Sequence, residues 1–287
     1  MMTRWMLNED VAKIFSSLSI GDGTCRRRPP LSKPASISGR YELKHLIQPD
    51  LARKIIDFLI PHVEMDEYCL KSDTGSYTVR SIYFDSPDFE CFHEKLDGQR
   101  HREKFRIRTY NHPASAPLFL EHKRKNGISY MKRRLLLDKD TLEAVKAFGY
   151  ESLKASTPSG KDGHTLEELL FRVHSRAYSP VTLITYDREA YVYPGDETTR
   201  VTFDRNLRAS MFPDLDQICD EAGLEYVLYD WIVLEVKFNH VVPQWLRRLN
   251  TLFDLRRQAC SKYCTCVGHF LGGMPTIKDG VAHVRTS

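Results

Sequence analysis

The stretch KFRIRTY, at residues 104–110, alternates basic and apolar side chains. Successive side chains of a β-strand point to opposite faces. Arg106 and Arg108 therefore share one face of the predicted strand, and Phe105 and Ile107 share the other. A strand of this kind fits an antiparallel sheet that packs one face on the protein core and keeps charges on the other.

The same alternation recurs in other predicted strands. Within each run, the residues that share the charged face are Arg40, Glu42 and Lys44; Glu121, Lys123 and Lys125; Tyr186 and Arg188; and Glu235, Lys237 and Asn239. Two arrangements are compatible with this pattern. One is an open sheet whose charged face meets water, and the other is a barrel whose lumen holds the charges.

The barrel needs a multiply charged anion in its lumen. Moving one charge into a protein interior costs several kcal/mol, and a cluster of like charges adds repulsion. The few carboxylates of the pattern do not neutralise the excess of Arg and Lys. A chain of phosphates suits Arg guanidinium groups and Lys ammonium groups well.

Strands outnumber helices along the chain, which favours an α+β fold built on a large antiparallel sheet or barrel with surrounding helices. The predicted strands are Arg40–Leu46, Tyr77–Phe84, Glu103–Tyr110, Leu118–Lys125, Ser129–Leu137, Val181–Val192, Arg200–Phe203 and Leu228–Asn239. Helices are predicted from Pro49 to about Val63, over Asp140–Phe148, from a capping box of Thr165 and Glu168 to about Ser175, and from Pro243 toward Arg257.

Charge is distributed unevenly. The net charge is only +4, yet Arg and Lys outnumber Asp and Glu heavily within residues 100–134, so the remainder of the chain is net acidic. Such a basic block indicates an anionic partner. Nucleic acid is not favoured, because stacking aromatics should share the basic face, whereas Phe105 lies opposite Arg106 and Arg108.

Composition also bears on location and domain limits. No run approaches the ~18 apolar residues of a membrane span, and residues 1–20 lack the features of a signal peptide. The seven cysteines have no framework spacing, which is typical of a reduced cytosolic protein. We therefore predict a cytoplasmic protein with a poorly ordered segment over 1–39, one domain over 40–272 and a tail over 273–287.

Eight strings, taken in order, resemble the VTC domain, the catalytic domain of the vacuolar transporter chaperone complex. They are RYELKH (40–45), SIYFDSPDF (81–89), EKLDG (94–98), KFRIRTY (104–110), FLEHKRK (119–125), TYDREAY (185–191), LEVKFN (234–239) and SKYC (261–264). The resemblance spans roughly residues 38–272. It implies a polyphosphate polymerase of the triphosphate tunnel metalloenzyme (CYTH-like) superfamily, with an eight-stranded antiparallel β-barrel as the tunnel.

The resemblance also implies roles for individual residues. Those that it places on ATP and on polyphosphate or triphosphate are Arg106, Arg108, Lys123 and Arg188 as the catalytic clamp, and Lys44, Lys132 or Arg133, Ser261 and Lys262 as further substrate-binding residues. A divalent metal, Mn²⁺ or Mg²⁺, is expected on Glu235 with Glu42 or Glu121. Simpler roles remain open for some of them, such as an ion pair of Glu235 with Lys237. Asp204 is ambiguous, and Asp85 is predicted to be a turn or cap residue.

Two departures from the family pattern shape the expectation. The superfamily often opens with E-x-E-x-K, but Arg40 occupies the first acidic position here, which favours phosphate transfer over hydrolysis. The chain also contains neither the phosphate-sensing domain nor the membrane helices of the eukaryotic complex, so it resembles a stand-alone form. The alternatives are a tunnel-type triphosphatase and a non-catalytic module that binds polyphosphate. The oligomeric state is left open.

Overall fold

Antiparallel strands dominate the structure. The computed structural model describes residues 40–111, 117–127, 129–137, 161–239, 241–258, 260–272, 275–278 and 281–284. Its strands are β1 (Arg40–Ile47), β2 (Glu64–Met65), β3 (Tyr77–Asp85), β4 (His101–Tyr110), β5 (Leu118–Asn126), β6 (Ser129–Leu137), β7 (Ser179–Tyr193), β8 (Asp196–Met211), β9 (Glu225–Tyr226), β10 (Ile232–Asn239), β11 (Pro275–Lys278) and β12 (Val281–Val284).

Eight of these strands form one curled sheet in the order β1–β10–β8–β7–β3–β4–β5–β6. The short strands β2 and β9 extend it beside β7 and β8, and β11 pairs with β12 as a separate hairpin. The sheet is a half-barrel, because β1 and β6 end the path and do not pair with each other among the described residues. The predicted α+β class, with an eight-stranded antiparallel tunnel-type sheet, is confirmed.

The strand register confirms that charged side chains share one face. Lys44 lies opposite Glu235, and Glu235 lies opposite Thr202. On the other half of the sheet, Arg106 lies opposite both Tyr83 and Glu121. Directly opposite residues project from the same side of a sheet, so these pairs place Lys44, Arg106, Glu121 and Glu235 on a common face.

That common face is the inside of the curl, and we call it the concave face. Two observations show this. Lys123 lies on β5, near one end of the strand order. The charges of Glu42 and Lys44 on β1, at the other end, shift its pKa. In addition, Ser261 and Lys262 touch two distant strands at once, through Lys104 on β4 and Asp204 on β8.

The main core lies on the outer, apolar face of the sheet, whereas the start of α6 reaches the concave face. The helices are α1 (Pro49–Leu59), α2 (Glu67–Leu70), α3 (Glu90–Leu96), α4 (Lys161–Arg176), α5 (Gln244–Leu252) and α6 (Lys262–Phe270), with a 3₁₀-helix at Leu215–Cys219. Proline occupies the first turn of α1, and its buried face is Ala52, Ile55 and Leu59. No helix in the described part of the chain is long and apolar enough to cross a bilayer.

The apolar face of β4 and β5 is covered by α4. Phe105 and Leu120 are completely buried there, and α4 contributes Leu169 and Leu170 to the same core. His122 also lies on this face, stacked on Phe105 with ring centroids 4.0 Å apart. Because this side of the sheet is packed with apolar groups, the charges of the same strands are left to the concave face.

Several element boundaries differ from the sequence prediction. Helix α4 begins at Lys161 instead of Thr165, and the carboxylate of Glu168 contacts His122 and Arg133. Strand β8 extends well beyond Arg200–Phe203, because it pairs with β7 along much of its length. Helices α1 and α5 end earlier than predicted.

Other predicted regions fall partly or wholly outside the described residues. These are the N-terminal segment 1–39 and the helix Asp140–Phe148. The described residues belong to a compact unit that spans Gly39–Ser287. Strands β11 and β12 fall within the predicted tail, where their backbones form an antiparallel pair.

Candidate functional site

Cations outnumber carboxylates on the concave face. The cations are Lys44, Lys104, Arg106, Arg108, Lys123, Lys132, Arg134, Arg188, Arg200 and Lys237 from the strands, with Lys262 from α6. The carboxylates are Glu42, Glu121, Asp204 and Glu235. The structure therefore brings together nearly all of the predicted site residues, with Arg133 as the exception.

Arg106 is fixed by a buried carboxylate. Its Nε and Nη2 atoms donate to one oxygen of Glu121 at 2.7 and 2.5 Å, and Nη1 donates to the Tyr83 hydroxyl at 2.7 Å. Burial alone would raise the pKa of Glu121, but Arg106 and Arg108 hold that pKa well below its ordinary value. Glu121 is therefore an anion that orients Arg106 toward the centre of the face.

Arg108 is buried without a neutralising partner. Its Nε donates to Ser81 Oγ at 2.9 Å, and Nη2 donates to the Tyr186 hydroxyl at 3.2 Å. No carboxylate in the described residues lies within ion-pair distance of it, although only 7 % of the residue is exposed. Its direct partners are two neutral hydroxyls, and Glu121 acts on it only from beyond ion-pair distance, so the guanidinium can accept an anion.

Among the described lysines of the concave face, Lys123 is the one whose pKa is lowered most by its surroundings. The positive charge of Arg106 and then burial lower the pKa of its ammonium to about 6, with Lys237 and Lys44 adding to the effect. No described carboxylate pairs with it directly. A lysine surrounded by cations is stabilised in its charged form only when an anion enters.

Asp204 joins two cations from different elements. Arg188 donates to it from Nε at 2.7 Å and from Nη2 at 2.8 Å, and Lys262 lies 2.6 Å away. Burial opposes ionisation of this carboxylate, yet Arg188 and Lys262 lower its pKa to about 2. In Lys262 the pKa is raised despite burial, chiefly because of Asp204.

Two glutamates flank Lys44 where β1 pairs with β10. Its ammonium lies 2.8 Å from Glu42 and 3.6 Å from Glu235, and Glu235 also contacts Lys237. Burial raises the pKa of Glu235, but the surrounding cations, led by Lys44, bring it well below its ordinary value. Both carboxylates are therefore charged, and the ammonium of Lys44 lies between them.

Glu42 and Glu235 are suited to a hard divalent cation that takes only one or two ligands from the protein. Mg²⁺ is commonly held by one or two carboxylates and completes its shell with phosphate oxygens and water. The described residues contain no group of three or more His, Cys, Asp or Glu arranged for a metal, so Glu42 and Glu235 would supply only part of the shell. Glu121 is less suited, because it already contacts Arg106, Lys132 and Arg134.

The start of α6 closes one side of the face. The Ser261 hydroxyl caps the helix by accepting from the Cys264 amide at 3.4 Å, and it also accepts from Lys104 Nζ at 3.1 Å. Tyr263 stacks on Tyr83 with ring centroids 5.3 Å apart. The cap residue and Lys262 are thereby held against the strands that carry Arg106 and Arg188.

Asp85 locks α6 to α3 behind the face. Its carboxylate accepts from the amides of Cys91 at 2.8 Å and Phe92 at 3.2 Å, and from the hydroxyl of Tyr263. The residue is completely buried. Asp85 is thus placed as a cap, as its sequence context predicts, and it does not reach the concave face.

The register separates the two candidate basic residues of β6. Lys132 lies opposite Lys123 on the concave face, 2.9 Å from Glu121. Arg133 projects to the outer face and contacts Glu168 of α4 at 2.9 Å. The structure therefore places Lys132 among the cations of the concave face and gives Arg133 a contact on the outer face.

Some residues of the face were not assigned a role from sequence. They are Lys104, Arg134, Arg200, Lys237 and Asp204 among the charged groups, and Ser81, Tyr83 and Tyr186 among the hydroxyls. Strand alternation places most of them on the correct face. The contact of Asp204 with Lys262 had no sequence signal, because it joins a strand to a helix far along the chain.

The family is decided by a match over most of the chain. A model of the VTC domain matches residues 39–271. The chain belongs to the VTC domain family. Subunit 4 of the vacuolar transporter chaperone complex of Schizosaccharomyces pombe is 24% identical over 73% of this chain and 34% of its own length. Subunit 4 of Trypanosoma brucei brucei is 21% identical over 85% of this chain and 36% of its own length.

This VTC domain spans about a third of the length of the curated relatives it matches. Among solved structures, a protein of Bacillus halodurans described as a candidate adenylate cyclase has 16% identity and a TM-score of 0.44. It covers 77% of this chain and 92% of its own.

Proposed function

We propose that this VTC domain is an ATP-dependent polyphosphate polymerase. One observation carries the proposal: cations outnumber carboxylates on the concave face, and Arg108 and Lys123 have no carboxylate within ion-pair distance among the described residues. A polyphosphate chain supplies closely spaced negative charge along its whole length. It therefore matches an elongated, basic, concave surface better than a single compact anion does.

The clamp on the transferred phosphate consists of Arg106, Arg108, Lys123 and Arg188. Glu121 and Asp204 hold two of the guanidinium groups in fixed directions, which lowers the cost of organising them around a ligand. Arg108 supplies positive charge without a carboxylate at ion-pair distance, and Lys123 takes up a proton when the polyanion binds. Phosphoryl transfer depends mainly on positioning and charge stabilisation of this kind.

The remaining cations border this clamp and would hold the growing chain. Lys44 contacts Glu235 and Lys262 contacts Asp204, and Lys132 extends the face toward the sheet edge. Ser261 adds a hydroxyl next to Lys104. Glu235 and Glu42 would hold Mn²⁺ or Mg²⁺, which would neutralise phosphate charge and align the reacting oxygens.

The reaction forms one P–O bond and breaks another. An oxygen of the terminal phosphate of the chain attacks the γ-phosphorus of ATP in line, and the bond from that phosphorus to the β,γ-bridging oxygen breaks. ADP leaves with the bridging electron pair. The attacking phosphate is already ionised, so no side chain is required as a general base, and the cations of the clamp stabilise the charge on both sides.

Hydrolysis of triphosphate is the alternative chemistry for the same face. It requires a water molecule to replace the attacking phosphate. The backbone of Arg40 pairs with Asn239 at the end of β1, in the position where the superfamily often carries a further acid. The loss of that acid supports transfer to phosphate over activation of water.

Incubation of the protein with ATP and Mn²⁺ or Mg²⁺ tests the proposal, with products followed by ³¹P NMR and gel electrophoresis. A mid-chain phosphate signal is expected from wild type. It should disappear in Arg106→Ala/Arg108→Ala and in Glu235→Gln. Arg133→Ala is the matched control, since it removes a guanidinium from the outer face of the same sheet.

The products separate the three candidate functions. Orthophosphate without polymer would identify a triphosphatase and overturn the polymerase. Binding of polyphosphate without turnover, under conditions in which the fold is intact, would identify a binding module. The relatives are subunits of a complex. Binding without turnover therefore identifies a binding module only if turnover is also absent when candidate partner subunits are added. The cytoplasmic location remains a prediction.

A further inference from the structure

The two strands that end the curled sheet border a gap along one side of the concave face. Strand β1 (Arg40–Ile47) and strand β6 (Ser129–Leu137) stand at opposite ends of the strand order and do not pair with each other among the described residues. In the described part of the chain, no hydrogen bond or ion pair joins a side chain of one strand to a side chain of the other. We call the gap between β1 and β6 the lateral opening.

The side chains of the concave face become more exposed toward the lateral opening. Asp204, on the central strand β8, has a side chain only 1% exposed. The side chain of Lys44 on β1 is 26% exposed, and that of Lys132 on β6 is 51% exposed. Because both lysines lie near the middle of their strands, solvent reaches them along the side of the sheet and not only through the two ends of the curl.

The two borders of the lateral opening act on the same space. Lys123 projects from β5, next to β6, and the charges of Glu42 and Lys44 on β1 shift its pKa. Interactions between charges weaken with distance and are screened by water, so the two borders lie close enough to act on one ligand. Lys44 and Lys132 therefore offer cations to that ligand from both sides of the opening.

The sequence of β6 suits an edge strand that stays open. Its centre carries three consecutive cations, Lys132, Arg133 and Arg134. Lys132 and Arg134 lie opposite Lys123 and Glu121 and therefore face the concave side. Charged side chains on an edge strand oppose pairing with a further strand, and the same cations attract a polyanion. Strand β6 is therefore better suited to border an entrance for an anion than to pair with another strand.

We propose that an internal stretch of a polyphosphate chain enters the concave face sideways, through the lateral opening. The inference rests on the proposed function in that it takes polyphosphate as the ligand. Lys44 and Lys132 meet the chain at the opening, and Arg106 and Arg108 hold it deeper in the face. A closed tunnel accepts a chain only by one of its ends, whereas a face that is open along its side accepts a chain whose two ends are blocked. The ligand class therefore includes polyphosphate without a free end.

Linear polyphosphate with blocked ends tests this route of entry. Both terminal phosphates are joined to biotin through phosphoramidate bonds and capped with monovalent streptavidin, a folded protein too bulky to pass through the curl of the sheet. The matched control polymer carries the same cap on one end alone. Calorimetric titration of the full chain with each polymer measures the two affinities.

The doubly capped polymer should bind within about twofold of the singly capped one, because internal phosphates supply nearly all of the charge. Arg108→Met and Lys132→Met should weaken the binding of both polymers by the same factor, at least about twofold. Arg124→Met is the matched control variant and should change neither affinity, since Arg124 lies opposite Glu103 on the outer face. Thermal unfolding of each variant checks that it is folded.

The outcomes distinguish this inference from the proposed function. A doubly capped polymer that binds at least about tenfold more weakly than the singly capped one would overturn sideways entry. Equal binding that neither Arg108→Met nor Lys132→Met weakens would also overturn it, because the chain would then lie outside the concave face. Sideways binding in a protein that makes no polymer from ATP would keep this inference and remove the polymerase. Polymer formation in a protein that binds only chains with a free end would do the reverse.

Discussion

The ammonium of Lys262, at the first residue of α6, lies 2.6 Å from the carboxylate of Asp204 on β8. The same carboxylate holds Arg188 through two hydrogen bonds. One buried anion therefore sets the position of a strand arginine and a helix lysine on the concave face. It connects the closing helix of the domain to the sheet that carries most of the site.

Removing the charge of Asp204 should lower the free energy of unfolding but increase the stabilisation that a bound triphosphate provides. Asp204→Asn leaves two buried cations without their partner, so we expect the free energy of unfolding to fall by about 3–5 kcal/mol. Inorganic triphosphate should then stabilise the variant more than it stabilises wild type, because the ligand takes over the missing negative charge. Urea unfolding with and without triphosphate measures both effects, and equal ligand stabilisation of the two proteins would contradict the explanation.

Arg106 and Arg108 should differ in what they contribute to stability. Arg106→Met removes the main partner of Glu121, which is 1% exposed, so the unfolding free energy should fall by about 2–3 kcal/mol. Arg108→Met leaves two hydroxyls but no carboxylate behind. It should therefore cost clearly less stability.

Both arginine variants should nevertheless bind inorganic triphosphate more weakly than wild type. Parallel denaturant titrations and calorimetric binding measurements test the pair. Equal destabilisation by the two substitutions would show that Arg108 has a neutralising partner in solution.

Lys123 should make triphosphate binding sensitive to pH. Its pKa in the free protein is lowered to about 6, and a bound polyanion should raise it. The bound form then takes up a proton above pH 6, so the contribution of Lys123 to affinity is complete below about pH 6 and declines as pH rises toward the pKa of the complex.

The contribution of Lys123 is best measured as the difference between wild type and Lys123→Met across pH 5.5–9, since phosphate ionisation is common to both. The affinity advantage of wild type should shrink with rising pH. An advantage that is constant over this range would mean that the lysine is already fully charged in the free protein.

Lys132 and Arg133 form a natural test of the two sheet faces. Lys132→Met should weaken triphosphate binding about twofold to fivefold, which is appropriate for a partly exposed ion pair. Arg133→Met should leave binding unchanged, because its guanidinium contacts Glu168 on the outer face. A loss of affinity in Arg133→Met equal to that in Lys132→Met would contradict the register of β6.

Asp85 should stabilise the packing of α3 and α6 behind the concave face. Asp85→Ala removes the acceptor of two α3 amides and of the Tyr263 hydroxyl, with an expected loss of about 2–4 kcal/mol in the free energy of unfolding. Tyr263→Phe removes one of these contacts and should cost about 1–2 kcal/mol. Thermal unfolding of the two variants tests the order, and a loss in Tyr263→Phe as large as that in Asp85→Ala would show that the α3 amides do not depend on the carboxylate.

The division of charges between the faces was predictable from single strands. Arg106 and Arg108 were assigned to one face and Phe105 to the other because side-chain alternation is a local property of an extended backbone. The same rule could not choose between Lys132 and Arg133 without knowing which side of β6 faces the curl. Their adjacency in sequence places them on opposite sides, and only the pairing of Lys132 with Lys123 shows which side is concave.

The ends of helices and strands, and the contacts between distant side chains, were harder to predict from the sequence. Thr165 and Glu168 matched a capping pattern, but the carboxylate of Glu168 is used by His122 and Arg133 instead. Such competition between a local contact and a distant one depends on packing. Strand β8 was underestimated for a similar reason, because pairing with β7 extends it beyond its strongest strand-forming residues.

By itself the sequence determined that this chain builds an antiparallel sheet with one strongly basic face, because composition and two-residue alternation act within each strand. The tertiary structure alone decided that β1 pairs with β10 and that α6 brings Lys262 to Asp204. Those contacts join residues far apart in the chain. Their free energy depends on the curl of the sheet and on the burial of unlike charges together, which no local pattern specifies.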